Sequence, residues 1–510
     1  MKKSLVSDEQ LELVKDNLEL NFLLPNKLYK NIWVLTLPIY LQLISTVVLS
    51  MVNNLLIRWV DGGVWTSVIN KANFAYSWFN FIPTFSSAGI FVVIGNLIGK
   101  GKKDEIYQSV FQGFVFNLAL CCLVILGLIF CKKYIYEWAN LPQEYWKTAD
   151  ILYYTNLGAL LLVSVHIVMQ RVEAASGNLK HLFLVILVSG IINTVIVCGT
   201  MFLINPVLSV ALGVIISNLF TVIAMFFLNR KHVNYKKMLT DFKKCWDSEI
   251  LKTILIVIIP SVVETLVFNL AAAVSTKFIT DASLLYEDAD ILFVTLISIQ
   301  QITNFGLLMS SALGQVSLIY VSRLNGSKLT ELCVPVSLKI WYLTLVVAMP
   351  FSLITVALTY PLLKIYNIPT EVIWNTGIFM FIIIAVQDIG RSMNQVGLSS
   401  LRAVKYTVVP VIVSIVTLLV FNIGFIYLTY SLMQIQKWLG EQNATNQVQV
   451  KNIARNYLLI VCGIQAVEEI VRGGLYMILW TKKAWIKKPR KEETNNEKDQ
   501  ALCSSPCSLR

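Results

Sequence analysis

"ILKTILIVIIPSVVETLVFNLAAAVSTKFIT", residues 250–280, is apolar for long enough to cross a bilayer, yet it carries a glutamate, Glu264, near its middle. A helix needs about 20 mostly apolar residues to cross a hydrocarbon core of roughly 30 Å. At about 1.5 Å per residue from Ile250, Glu264 lies about 20 Å deep, around or somewhat past the bilayer centre. An ionised carboxylate there costs roughly 2.5–3.5 kcal/mol on insertion scales, so it has to face the protein interior or a wet cavity. No base stands three or four residues away on its own helix. Pro260 removes a backbone N–H and frees the carbonyl near residue 256, leaving a kink and a spare acceptor close to the carboxylate. Carboxylate, freed carbonyl and the amide oxygen of Asn269 together make a set that could hold Na⁺, while the carboxylate alone could carry H⁺ or pair with a cationic solute. The plainer alternative is a packing glutamate bonded to a facing Gln300, Gln301 or Ser310.

The rest of the chain repeats this apolar character. Of its 510 residues 56% are hydrophobic and 14% charged, and the mean hydropathy is +0.67, values that belong to a polytopic membrane protein. Apolar runs of span length fall at about 32–60, 74–98, 107–131, 149–170, 182–204, 207–229, 251–279, 291–322, 333–363, 372–391, 407–433 and 455–480. Twelve crossings put both termini on one side. Lys/Arg-rich segments at 100–103, 230–252 and 391–405, together with both termini, place that side in the cytoplasm by the positive-inside rule, and the acidic segment "TDASLLYEDAD" (280–290) outside. The net charge of +12 is mostly this asymmetry; basic residues scattered over membrane-flanking loops do not make a nucleic-acid footprint. Residues 1–30 lack a cleavable signal and read as a cytoplasmic amphipathic segment, with Ser7 and Gln10 as a capping box. Residues 481–510 read as a polar cytoplasmic tail in which Cys503 and Cys507 could be lipidated or bind a metal, although a C-x-x-x-C pair without nearby histidines favours inert thiols.

Landmarks recur at a fixed shift. Gly89 aligns with Gly314, Gly101 with Gly326 and Lys180 with Lys405, each 225 residues apart, and Pro38 aligns with Pro260 at 222, which pairs Gln42 with Glu264. Six spans (31–229), a basic cytoplasmic linker (230–250) and six more (251–480) form a parallel repeat, since an even number of spans per unit lets both units enter from the same face. The expected fold is an all-α integral membrane protein of twelve transmembrane helices in two pseudo-symmetric six-helix lobes around a central cavity.

Several stretches carry a resemblance. "LPIYLQLISTVVLSMVNN" (37–54) has a proline at Pro38 followed by Asn53, "IGKGKKDE" (98–105) and "SGNLKH" (176–181) are loop motifs, "QDIGRSMNQVGLSSLRAVKYTVVP" (387–410) contains Asp388, Gly390, Arg391, Asn394, Leu401, Arg402 and Ala403, and "VEEIVRGGLYMILWTKKAW" (467–485) ends the series. In this order they resemble the multidrug and toxic compound extrusion family. The resemblance implies an efflux antiporter of the plasma membrane, working as a monomer without a cofactor, in which inward H⁺ or Na⁺ drives export of organic cations by alternating access. Many members of that family couple through an aspartate in the first span, where this chain has Asn53, which cannot ionise.

Six carboxylates lie in or beside the spans. Asp61 with Arg58, Asp388 with Arg391, and Glu468 with Arg472 have helical pairing distances; Glu173 stands near Arg171 at an inner end, and Glu469 has no assigned face. The ion-coupling candidates are Glu264, Asn269 and Asp388. The substrate-binding candidates are Gln42, Asn53, Gln300 and the aromatics Tyr40, Tyr76 and Phe79, whose faces suit a lipophilic cation; His166 could titrate, although a hydrogen-bonded helix-packing histidine is the commoner case. Two other readings stand beside the exporter: a flippase for lipid-linked oligosaccharides, which should line its cavity with Lys and Arg, and a transporter-shaped sensor or scaffold. An intramembrane enzyme is excluded by the lack of metal-ligand His-Glu spacing, of Gly-x-Ser-x-Gly and of paired intramembrane aspartates.

Overall fold

A computed structural model of the chain describes residues 27–61, 68–69, 71–73, 79, 82–83, 87–138, 141–240, 245–283, 285, 291–366, 368–440 and 447–486. The N-terminal amphipathic segment, Tyr76, Cys503 and Cys507 lie outside the described residues, as do the side chains of Arg58 and Asp61.

Twelve long helices are α1 (Leu28–Asp61), α2 (Ala88–Gly99), α3 (Ile106–Trp138), α4 (Trp146–Ser176), α5 (Leu179–Thr200), α6 (Pro206–Asn229), α7 (Ser248–Ser283), α8 (Ile291–Gly326), α9 (Cys333–Ala357), α10 (Thr370–Ala403), α11 (Val408–Leu432) and α12 (Gln447–Thr481). Ten of them are long and apolar enough to cross a membrane by length and composition. The other two are α2, described over 12 residues only, and α12, which carries Lys451, Arg455, Glu468, Glu469 and Arg472 and is therefore less apolar than a lipid-exposed span. Charges of this kind survive in a membrane helix only when the protein interior receives them.

The packing order carries the duplication. In the first lobe α1 packs on α5, α2 on α3 and α4, α3 on α4, and α6 on both α4 and α5; adding six to every number gives pairings of the second lobe. Between lobes, α2 packs on α8, and α1 on α8 is matched by α7 on α2.

The buried core forks. One cluster draws on both lobes, joining Ile90, Ile94 and Leu97 of α2 to Ile254 and Ile258 of α7 and to Val316, Ile319 and Tyr320 of α8. Towards the other end two separate clusters replace it, one built only from the first lobe around Leu152 and Tyr153 and one only from the second around Phe381 and Tyr457. The lobes therefore meet at the end that bears the basic loops and part at the other. At the join, α2 and α8 come into backbone contact: a Cβ on Gly99 would lie 2.2 Å from the Arg323 carbonyl oxygen, and one on Gly326 would lie 2.3 Å from that of Asn96. Only glycine fits at either place. Asn325 Nδ2 donates to Asn96 Oδ1 at 3.0 Å, Ser327 Oγ to the Gly99 carbonyl at 2.9 Å, and Arg323 reaches across to the Ala175 carbonyl at 2.7 Å.

Two of the helices are locally under-wound. Ile373–Gly377 in α10 and Leu418–Phe425 in α11 are π-helical, a rare form that is frequent at functional sites. In α11 the Asn422 carbonyl accepts from Ser275 Oγ of α7 at 2.8 Å.

Candidate functional site: two equivalent cavities of opposite character

Each lobe encloses a cavity, and the two are built from corresponding helices. The first, of about 450 Å³, is lined from α1, α4, α5 and α6 and from Ile69 and Asn73. The second, of about 350 Å³, is lined from α7, α8, α10, α11 and α12. The α1 lining residues Gln42, Thr46, Leu49 and Asn53 correspond to Phe268, Ala272, Ser275 and Thr276–Ile279 on α7. Four of these pairs share one offset, 226 (268 − 42, 272 − 46, 275 − 49, 279 − 53), which is a helical turn beyond the 222 that superposes the prolines.

The first-lobe cavity has neutral hydrogen-bonding walls. Asn53 Nδ2 donates to Asn193 Oδ1 at 2.6 Å, and Asn193 Nδ2 to Ser217 Oγ at 3.4 Å. His166 shares hydrogens with Asn218 Oδ1 at 3.1 Å and with Gln170 Nε2 at 3.0 Å. The two ring nitrogens are thus both engaged, on a side chain that also lines the cavity. Asn156 Nδ2 donates to Asn73 Oδ1 at 2.5 Å. Among the described lining residues, none carries a carboxylate, a guanidinium or an ammonium.

The second-lobe cavity is charged. Arg391, Glu468 and Glu469 line it with Gln300, Gln387, Asn422 and Gln465. Glu468 holds Arg472 in a pair, Oε1 to Nε at 3.0 Å, and Glu469 Oε2 takes the same guanidinium at 2.9 Å from the next turn. Thr417 Oγ1, at the end of α11 before its π stretch, donates to Glu468 at 3.0 Å, and Asn394 Nδ2 donates to Glu469. Asp388 pairs with Arg391 at 3.2 Å and accepts from Ser352 Oγ of α9 at 2.5 Å. The helices can bring these groups together because Gly390 lets α10 touch the α12 backbone: a Cβ there would stand 2.5 Å from the Ile470 nitrogen. Three carboxylates, Asp388, Glu468 and Glu469, thus face two guanidiniums, Arg391 and Arg472. Counted formally, with every group ionised, three carboxylates against two guanidiniums leave one negative charge in excess.

Comparison with known proteins gives the same duplication. A family model described as MatE matches residues 38–199 and again 260–428, the two matches starting at Pro38 and Pro260 and covering more than half of the chain. The chain belongs to the MatE family of membrane transporters. A MatE relative is an uncharacterized transporter, YisQ, of Bacillus subtilis strain 168, 23% identical over 406 residues that are 77% of this chain and 86% of that one. Solved structures share the fold at low identity. An Asp-to-Asn mutant of the Vibrio cholerae MATE transporter VcmN has a TM-score of 0.72 at 16% identity, covering 89% of this chain and 96% of that one. A MOP superfamily transporter from Pyrococcus furiosus, described as having a binding pocket of reverse polarity, gives 0.71 at 14%, with 89% and 96% covered. A third, a multidrug resistance MATE family transporter in an outward-facing conformation, gives 0.71 at 15%, with 90% and 97% covered. The twelve helices in two lobes are the MATE architecture, and the chain is a transporter by family.

In this MatE chain several sequence-based expectations land elsewhere. Glu264 is buried, 6% exposed, but its Oε2 is clamped by Arg402 of α10 at 2.8 Å and its Oε1 accepts from Tyr476 of α12 at 3.4 Å. It is not among the residues lining the second-lobe cavity, which begins one turn further along α7. The carbonyl freed by Pro260 is already satisfied, because Thr407 Oγ1 donates to the Ile256 oxygen at 2.6 Å. Asn269 is five residues beyond Glu264, about 140° round the helix, so the two side chains point apart. The proposed Na⁺ set of Glu264, freed carbonyl and Asn269 is therefore not assembled, and Gln42, which does line a cavity, is not the cavity equivalent of Glu264. Tyr40, two residues from Gln42 and about 200° away on α1, packs against the shared core instead. Phe79 packs on the separate first-lobe cluster and is absent from the cavity lining. Asn53 and Gln300 do line cavities, one in each lobe, and Asp388 stands beside the second. Sequence reasoning passed over Glu469 and Arg391 as cavity groups; the signal was their joint place in the two C-terminal motifs.

Proposed function

We propose that this MatE transporter exports small organic cations across the plasma membrane as a monomer, in exchange for H⁺ or Na⁺, with the basic loops and both termini in the cytoplasm. The observation that carries the reading is the excess negative charge of the second-lobe cluster. A buried charge without a counter-ion is costly, so one mobile cation completes the group. H⁺ or Na⁺ on one stroke and a cationic solute on the other compete for the same charge, and competition for one site is the logic of exchange. Glu469 is the swing group, because it has to share Arg472 with Glu468, Arg391 is taken by Asp388, and its side chain is the more exposed of the two glutamates, 15% against 2%. The neutral amides of the first-lobe cavity offer hydrogen bonds to the polar parts of a solute without choosing its charge. Their lack of bases, with Arg391 paired in the other lobe, supports cationic cargo over an anionic lipid headgroup. Glu264 enters this reading as the fixed anion of a structural pair.

Alternating access follows from the forked core: the cluster ties α10, α11 and α12 together, and those helices share the lobe that has to rock against the first. The test is export of a fluorescent organic cation from proteoliposomes under separately imposed H⁺ and Na⁺ gradients. Glu469→Gln removes the excess charge and is expected to lower gradient-driven export at least tenfold while the protein still inserts and still lets substrate move downhill. Export equal to wild type under both gradients would overturn the assignment.

A further inference from the structure

Outside both cavities, two pockets meet at the basic end of the first lobe. One is an apolar groove of about 490 Å³ between α3, α4 and α6, with Phe114, Val115, Leu118, Ile223 and Phe226 among its walls. The other is a polar pocket of about 520 Å³ whose lining includes Lys103, Arg230, Lys231 and Lys237, against a single carboxylate, Asp104. Tyr235, which begins the short linker helix Tyr235–Thr240, lines both. Its ring stacks on Phe226 at 4.5 Å between centroids and 23° between planes, and Arg230 lies 5.4 Å from the ring centre of the same Phe226. The basic head of the pocket is thus bolted to the apolar wall of the groove by aromatic contacts.

The chemistry of the pair is amphipathic and its order is that of a lipid. The groove walls Val115, Leu118 and Ile223 are 39%, 41% and 49% exposed in the protein alone, on the outer faces of helices that lie in the bilayer. The basic pocket follows at the level where α6 ends and α3 begins, which is where headgroups lie. Burial holds the Tyr235 phenol above its usual range, with Glu173 adding to the effect. Its hydroxyl is buried without a hydrogen-bond partner. A neutral, unsatisfied donor at the seam between an apolar and a cationic pocket points to an acceptor arriving from outside the chain.

We propose that this compound pocket binds one anionic phospholipid, an acyl chain in the groove and the phosphate among Arg230, Lys231 and Lys237, with Tyr235 donating to it. The occupant is a bilayer lipid because the groove opens to the membrane and the cationic lining outnumbers its one acid. Since the pocket sits on the first segment of the linker between lobes, a bound lipid would fasten the linker to α3 and α6.

Native mass spectrometry of the full chain in neutral detergent, titrated with phosphatidylglycerol, phosphatidylcholine or inorganic phosphate, tests the assignment. Wild type should retain one phosphatidylglycerol at least tenfold more tightly than phosphatidylcholine, and inorganic phosphate at the same concentration should leave no adduct. Lys231→Gln with Lys237→Gln, both on exposed positions, should abolish that preference. Val115→Trp, which fills the groove and touches no charge, should weaken binding of both lipids. Unchanged phosphatidylglycerol retention in the double variant, equal retention of phosphatidylcholine by wild type, or phosphate binding on its own would each overturn the proposal. The readout does not involve transport, so it stands or falls apart from the exchange mechanism.

Discussion

The two lobes have the same helix order and the same cavity position, yet one cavity is neutral and the other charged. In the first, Asn53 faces Asn193 at 2.6 Å; in the second, Glu468 and Glu469 share Arg472 at 3.0 and 2.9 Å. A duplicated backbone fixes where a solvent-reachable hollow forms, because helix packing is set by apolar ridges and small residues. The side chains that line it are free to diverge. In the exchange proposed here, function lies in the difference between halves, and the shared frame supplies the motion.

Five substitutions would break or sharpen that comparison. The largest effect is expected for Arg472→Ala, which strands the buried Glu468 and its half-buried neighbour Glu469; breaking a buried pair typically costs about 3–5 kcal/mol, and thermal unfolding of the purified protein in detergent would read it. A change in the first-lobe cavity, Asn53→Ala, should cost far less, about 1 kcal/mol, since it removes one neutral hydrogen bond. Equal losses would erase the distinction between the cavities. Next is Gly326→Ala. Its new Cβ would meet the Asn96 carbonyl oxygen at 2.3 Å, and overpacking of this kind costs about 1–3 kcal/mol. Spread over the α2–α8 contact, it should loosen the join and raise the labelling rate of a cysteine placed at Ser327, whose side chain now donates to Gly99. Glu264→Gln is expected to destabilise by roughly 1–3 kcal/mol through the lost pairing with Arg402, with gradient-driven export per folded molecule unchanged; a loss of coupling at full stability would return Glu264 to the ion site. The smallest is Thr407→Val, which leaves the Ile256 carbonyl without its donor and should cost about 1 kcal/mol.

Much of the frame was legible in the chain. Long apolar runs, basic loops and recurrent Gly, Lys and Pro landmarks were enough to expect twelve helices in two lobes, because those signals are local or repeat at a constant shift. The site was legible only in part. Glu264 stood out for its depth, but its partner Arg402 lies 138 residues downstream, and no spacing on α7 announces it. Pro260 did free a carbonyl, and what it met was Thr407, a contact between distant segments. The one-turn difference between motif register and cavity register moved the apparent site from the 268–279 face to Glu264. By contrast the Asp388–Arg391 and Glu468–Arg472 pairs were readable, since each lies within one helix at three or four residues. What their spacing does not contain is that α10 and α12 approach closely enough, over Gly390, to merge the two pairs and Glu469 into one group.

Under the proposed exchange, the branching of the apolar interior would set the energetics of turnover. To face the other way, the chain has to wet the packed seam of Ile94, Ile254 and Val316, all now fully buried, while drying an equivalent seam between the two far branches. Loss and gain of dry area at opposite ends nearly cancel, so a tilt far smaller than either, such as one proton or sodium ion landing on a single carboxylate, is enough to decide which door stands open.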